Sequence, residues 1–342
     1  MKTKITIKII AKELGVATST VSKALRDSSE ISKETKDRIK AYADYYNYRP
    51  NNLALQLRNQ KTKVIGIILP QIVHHFFSTV IKGIEKVASE RGYNIMVCFS
   101  NDLEKKETET IDVLTNGSVD GLLVSIAKET LEKGEFKHFN RLIDNDIPLV
   151  LFDRTHESLK CDKVIVDDVG AGHKATKYLL DSGCNNIGIL TTPRHVTVGL
   201  DRLRGYEKAL KDKGKTIDQK LIVRVNEEYE IKSQIESLFD QPIDAIFAVN
   251  EIYAAIAIRI AKERKLNIPE DISVIGFTDG LISEYASPSI STVAQHGFTM
   301  GEQSVELLID RIEGKKEKEV TQTKVISSNL KIRESSKKIQ SE

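Results

Sequence analysis

Residues 6–25 read TIKIIAKELGVATSTVSKAL and contain two short helical patterns joined by a tight turn. Apolar residues recur at helical spacing from Ile7 to Leu14, and Gly15 follows as a helix C-cap. A second pattern runs from about residue 17 or 18 to Leu25 and leaves a face of small polar residues. Two short helices with so tight a turn cannot form a hydrophobic core alone, so a third element is required.

The next segment supplies that third helix. Ser32 is a suitable N-cap, and apolar residues recur at helical spacing from Ile39 to Tyr46. Three such helices predict a helix-turn-helix domain, whose second helix enters the major groove of DNA. An ordinary three-helix bundle would also explain the apolar stripes. However, residues 1–63 contain 14 Lys and Arg against 6 Asp and Glu, in a chain whose formal net charge is only +2. This basic excess favours DNA binding.

The run from Thr6 to Leu25 resembles the signature of the LacI/GalR (lac repressor) family, and the similarity extends along nearly the whole chain. The family's helix-turn-helix positions are matched by Val16, Thr20, Val21 and Ser22. Ile9 stands where the family usually has an acidic residue, and Ala17 stands where it usually has serine. Both departures remove a helix-capping group, each at a cost of about 1 kcal/mol, unless Thr18 caps the second helix one residue later.

The resemblance implies a DNA-binding surface in the head. Thr18 and Ser19 begin the recognition helix and are expected to face base edges, with Lys23 further along the same face. Thr20 and Ser22 are expected to position this helix on phosphates. The predicted DNA contacts, in the head and in the segment that follows it, are Thr6, Thr18, Ser19, Thr20, Ser22, Lys23, Asn52, Ala54, Leu57 and Arg58.

The segment from Pro50 to Arg58 resembles the family's hinge helix, which joins the head to the core and binds the minor groove as a pair. A helix of about two turns is unstable alone, so it needs its twin and the DNA in order to form. Leu57 aligns with the family's intercalating leucine, an apolar wedge that opens a base step and kinks the duplex. The alternative is that the leucines of this segment form a short strand or a linker packed on the core.

From residue 63 onward, apolar strands alternate with amphipathic helices, which predicts parallel sheets covered on both faces. The predicted strands are Val64–Leu69, Asn94–Phe99, Gly121–Ser125, Leu149–Phe152, Val164–Val166, Ile187–Leu190, Leu221–Val225, Ala245–Val249 and Val274–Phe277. These strands are too many for one compact sheet, and the polar stretch 153–162 divides them, so two similar subdomains are expected. This α/β arrangement resembles the family's periplasmic-binding-protein-like core.

The predicted domain boundaries follow from these segments. An all-α helix-turn-helix head covers residues 1–49, a hinge helix and linker cover residues 50–62, and the core for effector binding and dimerisation covers residues 63–342. Within the core, the N-subdomain is predicted at about 63–160 plus 293–322, and the C-subdomain at about 163–290 plus 323–335.

Polar residues follow several of the predicted strands, and in parallel sheets ligands bind at the carboxyl ends of the strands. Asp153 and Arg202 together can hydrogen-bond the vicinal hydroxyls of a sugar, with Phe76 or Phe77 as a stacking face. Arg202 also matches the family's ligand-contacting arginine. The predicted effector-binding residues are Phe76, Phe77, Asn101, Ser125, Asp153, Arg202, Asn250, Thr278 and Asp279.

Two positions in this predicted site depart from the family. Thr278 stands where many members place an aspartate that holds the effector, and Glu251 stands where an aspartate commonly follows Asn250. Either Asp279 takes over from the missing aspartate, or the ligand is less hydroxylated than a simple sugar. A histidine pair at residues 74–75 lies at the predicted mouth of the cleft, where a pH-sensing or metal-binding role competes with an ordinary surface-loop role.

The sequence therefore predicts a sequence-specific DNA-binding transcriptional regulator, acting as a repressor, whose operator affinity is controlled by a sugar or a sugar derivative. A homodimer on pseudo-palindromic operator DNA is expected, because one head contacts few bases and the hinge helix needs a twin. One competing interpretation is a regulator of the same fold that is controlled by a protein partner. Another is an exported sugar-binding protein, which would need a signal peptide and would lack residues 6–58.

Other function classes are disfavoured by the residues that the chain contains. No phosphate-cradling glycine-rich loop follows Leu69, and there is no nucleophile elbow or spaced set of metal ligands, so an enzyme, a cofactor and a bound metal are not expected. Cys98, Cys161 and Cys184 are odd in number and far apart, as in a reducing compartment. The sequence shows no signal peptide or membrane span, so a cytoplasmic location is expected.

Overall fold

The computed structural model describes residues 5–48, 61–71, 75–226, 229–317 and 319–339. The chain divides into two compact units, residues 1–61 and 62–342. Each unit has its own hydrophobic core.

The described part of the first unit contains three helices: α1 (Ile7–Leu14), α2 (Thr18–Leu25) and α3 (Lys33–Tyr45). Their inward faces form a small core in which Ile10, Val21 and Ile39 are fully buried. The three helices and the short turn between α1 and α2 have the arrangement that the apolar stripes predict.

The ends of these helices follow the predicted capping chemistry with one exception. The Thr6 hydroxyl accepts a hydrogen bond from the Ile9 N–H at 3.4 Å, and Gly15 ends α1 in the left-handed region at φ 66°. Ala17 occupies the N-cap of α2 and has no side-chain acceptor to offer. Thr18 is already the first helical residue, so the alternative cap at Thr18 is wrong. The N-terminus of α2 therefore lacks a side-chain cap.

The second unit begins with a six-stranded parallel sheet. Its strands are β1 (Val64–Leu69), β2 (Asn94–Phe99), β3 (Gly121–Val124), β4 (Leu149–Phe152), β5 (Asp162–Val166) and β11 (Thr323–Ile326), in the order β11-β5-β4-β3-β1-β2. The helices on its two faces are α4 (His75–Glu90), α5 (Glu104–Thr115), α6 (Lys128–Lys133), α7 (Lys137–Asp144) and α13 (Gly297–Ile312). A separate apolar cluster lies on each face, because successive residues of a strand point to opposite sides.

A second six-stranded sheet lies beside the first in the same unit. Its strands are β6 (Ile187–Thr191), β7 (Ile222–Arg224), β8 (Ala245–Ala248), β9 (Ser273–Phe277), β10 (Ser291–Ala294) and β12 (Asn329–Lys331), in the order β12-β10-β9-β8-β6-β7. Only the pairing of β12 with β10 is antiparallel among the described strands. The accompanying helices are α8 (Asp168–Asp181), α9 (Thr197–Asp212), α10 (Ile231–Glu236), α11 (Glu251–Glu263) and α12 (Leu281–Tyr285), with short 3₁₀ turns at Gln219–Leu221 and Ser237–Asp240.

The two parallel sheets confirm the predicted fold class and correct the predicted subdomain boundaries. Strands β5 and β11 belong to the first sheet, and β10 belongs to the second, whereas the predicted ranges 163–290, 323–335 and 293–322 place them in the opposite subdomains. In the polar stretch 153–162, residues 153–161 form a loop between two paired strands, β4 and β5, and not a domain boundary. The chain crosses between the sheets after β5, after β10 and after β11.

Candidate functional site

A cleft that is open to solvent lies between the two sheets of the core. Asp153 follows β4, Asn250 follows β8 and Thr278 follows β9, so the cleft lies at the carboxyl ends of strands from both sheets. Its lining residues are Phe76, Phe77, Asp102, Lys128, Asp153, Arg154, Thr192, Pro193, Val196, Val198, Arg202, Val249, Asn250, Glu251, Tyr253, Thr278 and Gln295. Aromatic faces and hydrogen-bonding groups therefore occur together in one concave site.

Arg202 on α9 is held in the cleft by two hydrogen bonds and an aromatic ring. Its Nε donates to Asp168 Oδ1 at 2.8 Å, and its Nη1 donates to the Val249 carbonyl at 2.7 Å. The guanidinium carbon lies 3.6 Å from the centre of the Phe277 ring. Burial raises the pKa of Asp168 to about 6, although the charge and hydrogen bond of Arg202 oppose this rise. The arginine is thus held by residues of α8, of β9 and of the loop after β8.

On the opposite wall, Asp153 lies in the left-handed region at φ 58°, directly after β4. The buried Ser125 hydroxyl donates to Asp153 Oδ2 at 3.5 Å, so this serine lies behind the aspartate. Asp102 Oδ1 accepts from the Lys128 backbone N–H at 2.9 Å and from the Arg154 guanidinium. These bonds connect the loops after β2, β3 and β4 into one wall.

Two residues at the start of α11 complete the cleft from the side of the second sheet. Asn250 caps the helix, with its Oδ1 accepting from the Tyr253 N–H at 2.8 Å. Glu251 is almost fully buried, and burial raises its pKa to about 7, with the charge of Asp279 adding to the rise. One carboxylate oxygen, Oε2, has no hydrogen-bond partner among the described residues, while the backbone N–H of His75 donates to the carboxylate.

Thr278 and Asp279 lie in different surroundings although they are adjacent in sequence. Thr278 has φ 80°, and its hydroxyl donates to Gln295 Oε1 at 2.6 Å within the cleft lining. Asp279 is paired with Lys331 and Arg333. Burial acts to raise the pKa of Asp279, but the hydrogen bonds from these two cations lower it overall. The described lining of the cleft includes Thr278 and not Asp279.

Three residues predicted for the effector site lie outside the described lining of the cleft, although Asp279 lines an adjoining cavity that shares Thr278 and Gln295 with it. Asn101, Ser125 and Asp279 are absent from the described lining of the cleft. Asn101 is exposed in a left-handed turn at φ 52°, Ser125 is buried beneath Asp153, and Asp279 is held by two cations of the C-terminal segment. The other predicted residues, Phe76, Phe77, Asp153, Arg202, Asn250 and Thr278, are brought together.

Several polar lining residues could not be predicted from the sequence. Asp102, Lys128, Thr192 and Gln295 carry no distinguishing local pattern, because loops from separate strands bring them to the cleft. Arg154 also lines the cleft, and it directly follows Asp153 at the end of β4, where a ligand-binding residue is expected.

In the head, the described part of the predicted DNA surface lies on α1 and α2. Thr18 and Ser19 are exposed, while Thr20 is half-buried. The Ser22 hydroxyl accepts from Arg26 Nη2 at 3.1 Å, and Lys23 forms an ion pair with Glu30. The other predicted contacts, Asn52, Ala54, Leu57 and Arg58, lie outside the described residues, as does His74.

Comparisons with known proteins identify the family. Residues 6–51 match the family model described as bacterial regulatory proteins, lacI family, and residues 176–336 match that of the periplasmic binding protein-like domain. The transcriptional repressor PurR of Vibrio atlanticus (strain LGP32) is 32% identical over 316 residues, which cover 91% of this chain and 92% of that protein. The chain belongs to the LacI family. Membership confirms the predicted DNA-binding regulator class and the prediction that the protein is not an enzyme.

Solved structures share the fold of this LacI-family protein. A LacI family transcriptional regulator from Enterococcus faecium with bound ribose is 26% identical, with a TM-score of 0.71, and covers 81% of this chain and 100% of that chain. The lac repressor dimer bound to operator has a TM-score of 0.84 at 20% identity and covers 97% of this chain and 98% of that chain. Within the described part of the chain, no helix is both long and apolar enough to span a membrane.

Proposed function

We propose that this LacI-family protein is a repressor whose operator affinity is controlled by a sugar or sugar derivative bound in the cleft between the two sheets. The observation that carries this proposal is the fixed guanidinium of Arg202 in a cleft that also contains Asp153 and the Phe76 and Phe77 rings. Carboxylate and guanidinium groups bind hydroxyls of defined geometry, and aromatic rings cover the apolar face of a sugar. The ribose bound by the Enterococcus faecium relative supports this ligand class.

The proposed DNA-binding form is a cytoplasmic homodimer on a pseudo-palindromic operator. Thr18 and Ser19 are exposed at the start of α2, where short hydroxyl side chains can reach base edges. Two heads are required because a single short recognition helix reads few base pairs, and twofold symmetry of the protein requires a matching symmetry in the site.

A panel of sugars tests the effector part of the proposal. D-ribose, D-xylose, D-glucose and cellobiose are added separately to the full-length protein, and thermal unfolding is followed. A ligand present at a hundred times its Kd should stabilise the protein by about 2.7 kcal/mol. Operator DNA is selected from a random library with the purified protein. A sugar that stabilises the protein should also change the affinity of the protein for this operator, measured by fluorescence anisotropy.

Asp153 and Asp146 provide a matched pair of variants for this test. Both are aspartates with positive φ, 58° for Asp153 and 57° for Asp146. Asp146 precedes β4 and Asp153 follows it, and of the two only Asp153 is in the described cleft lining. Asp153→Asn should weaken sugar binding about tenfold or more, because a hydrogen bond to a charged group is worth about 1.5–3 kcal/mol. Asp146→Asn should leave binding unchanged. If no sugar shifts unfolding, control by a protein partner becomes the better interpretation.

Leu57 tests the proposed bending of the operator by the hinge segment. A wedge stabilises only a kinked duplex, so Leu57→Ala should weaken operator affinity and reduce the bend without changing affinity for random DNA. The salt dependence of binding to random DNA should also stay the same, because it reflects phosphate contacts. Gel-shift titrations with both DNAs measure these affinities, and Leu55→Ala in the same segment is the control. Equal losses on both DNAs would make residues 51–58 a linker.

A further inference from the structure

Two helices of the second sheet, α8 and α9, approach each other unusually closely. A Cβ atom added at Gly172 would lie 2.3 Å from the Arg202 carbonyl oxygen, and one added at Gly205 would lie 2.2 Å from the Val169 carbonyl oxygen. No larger side chain fits at either position without a shift of backbone. This contact brings the first turn of α8, which carries Asp168, against the middle of α9, which carries Arg202.

The same contact sets the direction of the arginine side chain. Asp168 Oδ1 accepts from Nε, the Val249 carbonyl accepts from Nη1, and the Phe277 ring covers one face of the guanidinium. The guanidinium is a rigid planar fork with five N–H donors, so fixing two of them fixes the directions of all the others. Arg202 also lines the cleft, so a molecule bound there can contact this side chain.

We propose that Asp168 is the positioning residue of the effector site, and that effector affinity depends on the ionisation of its carboxyl group. This inference rests on the proposed function, because it assigns a role to a residue that acts on the effector through Arg202. Asp168 is itself buried and is not among the described residues that line the cleft.

The electrostatic surroundings place this ionisation close to physiological pH. Burial raises the pKa of Asp168 to about 6, Arg202 on α9 lowers it, and the carboxylates of Asp153 and Asp201 raise it further. Above this pH the charged carboxylate holds Nε by a charge-assisted bond. Protonation weakens that bond and leaves the guanidinium without its counter-charge. At pH 5 about one tenth of the carboxyl is ionised, so effector affinity should fall about tenfold from its value at pH 7.5.

A spectroscopic measurement tests the positioning role without any ligand. Full-length protein labelled with ¹⁵N-arginine is titrated from pH 5 to 8, and the Nε–Hε resonance of Arg202 is assigned by its loss in Arg202→Lys. In the wild type this resonance should titrate with a midpoint near pH 6. In Asp168→Asn it should not titrate, while in Asp201→Asn, the control on the neighbouring residue, it should still titrate, with a slightly lower midpoint because the Asp201 charge is gone. Identical titration in wild type and Asp168→Asn would overturn the inference, and so would a wild-type Arg202 resonance that does not titrate between pH 5 and 8.

Calorimetry with D-ribose, D-xylose, D-glucose and cellobiose at pH 5.0 and 7.5 tests the consequence for binding. Any sugar that binds should bind the wild type about tenfold more weakly at pH 5.0, and should bind Asp168→Asn weakly at both pH values. A sugar that binds the wild type equally well at both pH values would overturn the inference and leave the proposed function intact. If the Arg202 resonance titrates but no sugar binds, the proposed function fails, and the role of Asp168 in effector binding fails with it.

Discussion

Arg202→Leu should lower the free energy of unfolding of the core by about 3–5 kcal/mol at pH 7.5, the usual cost of removing one partner from a buried ion pair. The arginine side chain is 7% exposed and that of Asp168 is 8% exposed, so the remaining carboxylate would have neither a counter-charge nor water. The cost should be smaller at pH 5, because burial already raises the pKa of Asp168 to about 6 and protonation removes the unpaired charge. Urea denaturation at both pH values measures the difference.

The functional consequence of Arg202→Leu should be separable from its effect on stability. Response to an effector sugar should disappear, while affinity for the selected operator should stay within about twofold, because Arg202 lies in the core unit and not in the head. Arg204→Leu is the control: this arginine is on the same helix, its side chain is 61% exposed, and it pairs with Asp201. The free energy of unfolding of the Arg204→Leu variant should differ from that of the wild type by about 0.5 kcal/mol or less. A matching loss of operator affinity in Arg202→Leu would contradict the assignment of this residue to the cleft.

Glu251→Gln should remove a large pH-dependent contribution to the free energy of unfolding. Burial raises the folded-state pKa of Glu251 from its ordinary 4.5 to about 7, with Asp279 adding to the rise. The folded protein therefore binds this proton more tightly than the unfolded chain does. The stabilising contribution is complete below pH 4.5 and is lost as the pH rises to 7. The difference between these two pKa values corresponds to about 3 kcal/mol.

The measurement is the free energy of unfolding in urea at pH 5, 6, 7 and 8. Relative to that of Glu251→Gln, the free energy of unfolding of the wild type should fall by about 2–3 kcal/mol between pH 5 and 8. Glutamine keeps an oxygen that can accept from the His75 N–H, so the change is chiefly one of charge. Glu284→Gln on the exposed surface of α12 is the control and should run parallel to the wild type. Parallel curves for the wild type and Glu251→Gln would show that Glu251 does not titrate in this range.

Local residue patterns determined most of the fold of this protein. The apolar stripes and Gly15 specify α1 and α2, and the alternation of apolar strands with amphipathic helices specifies the parallel sheets. These features depend on residues a few positions apart, which is why the sequence alone shows them. The predicted subdomain boundaries were wrong at β5, β10 and β11, because strand pairing across a chain crossover has no local signature.

The residues of the cleft were likewise determined in part by the sequence and in part only by the tertiary structure. Strand-end positions predicted Asp153 and Asn250, because the ends of parallel strands meet at one edge, whereas Arg202 was predicted from the family resemblance. Only the tertiary structure decided that Asp279 pairs with Lys331 and Arg333, that Asp168 holds Arg202, and that Glu251 is buried. Charge pairing and desolvation act between groups that are distant in sequence, so they exist only once packing has brought those groups together.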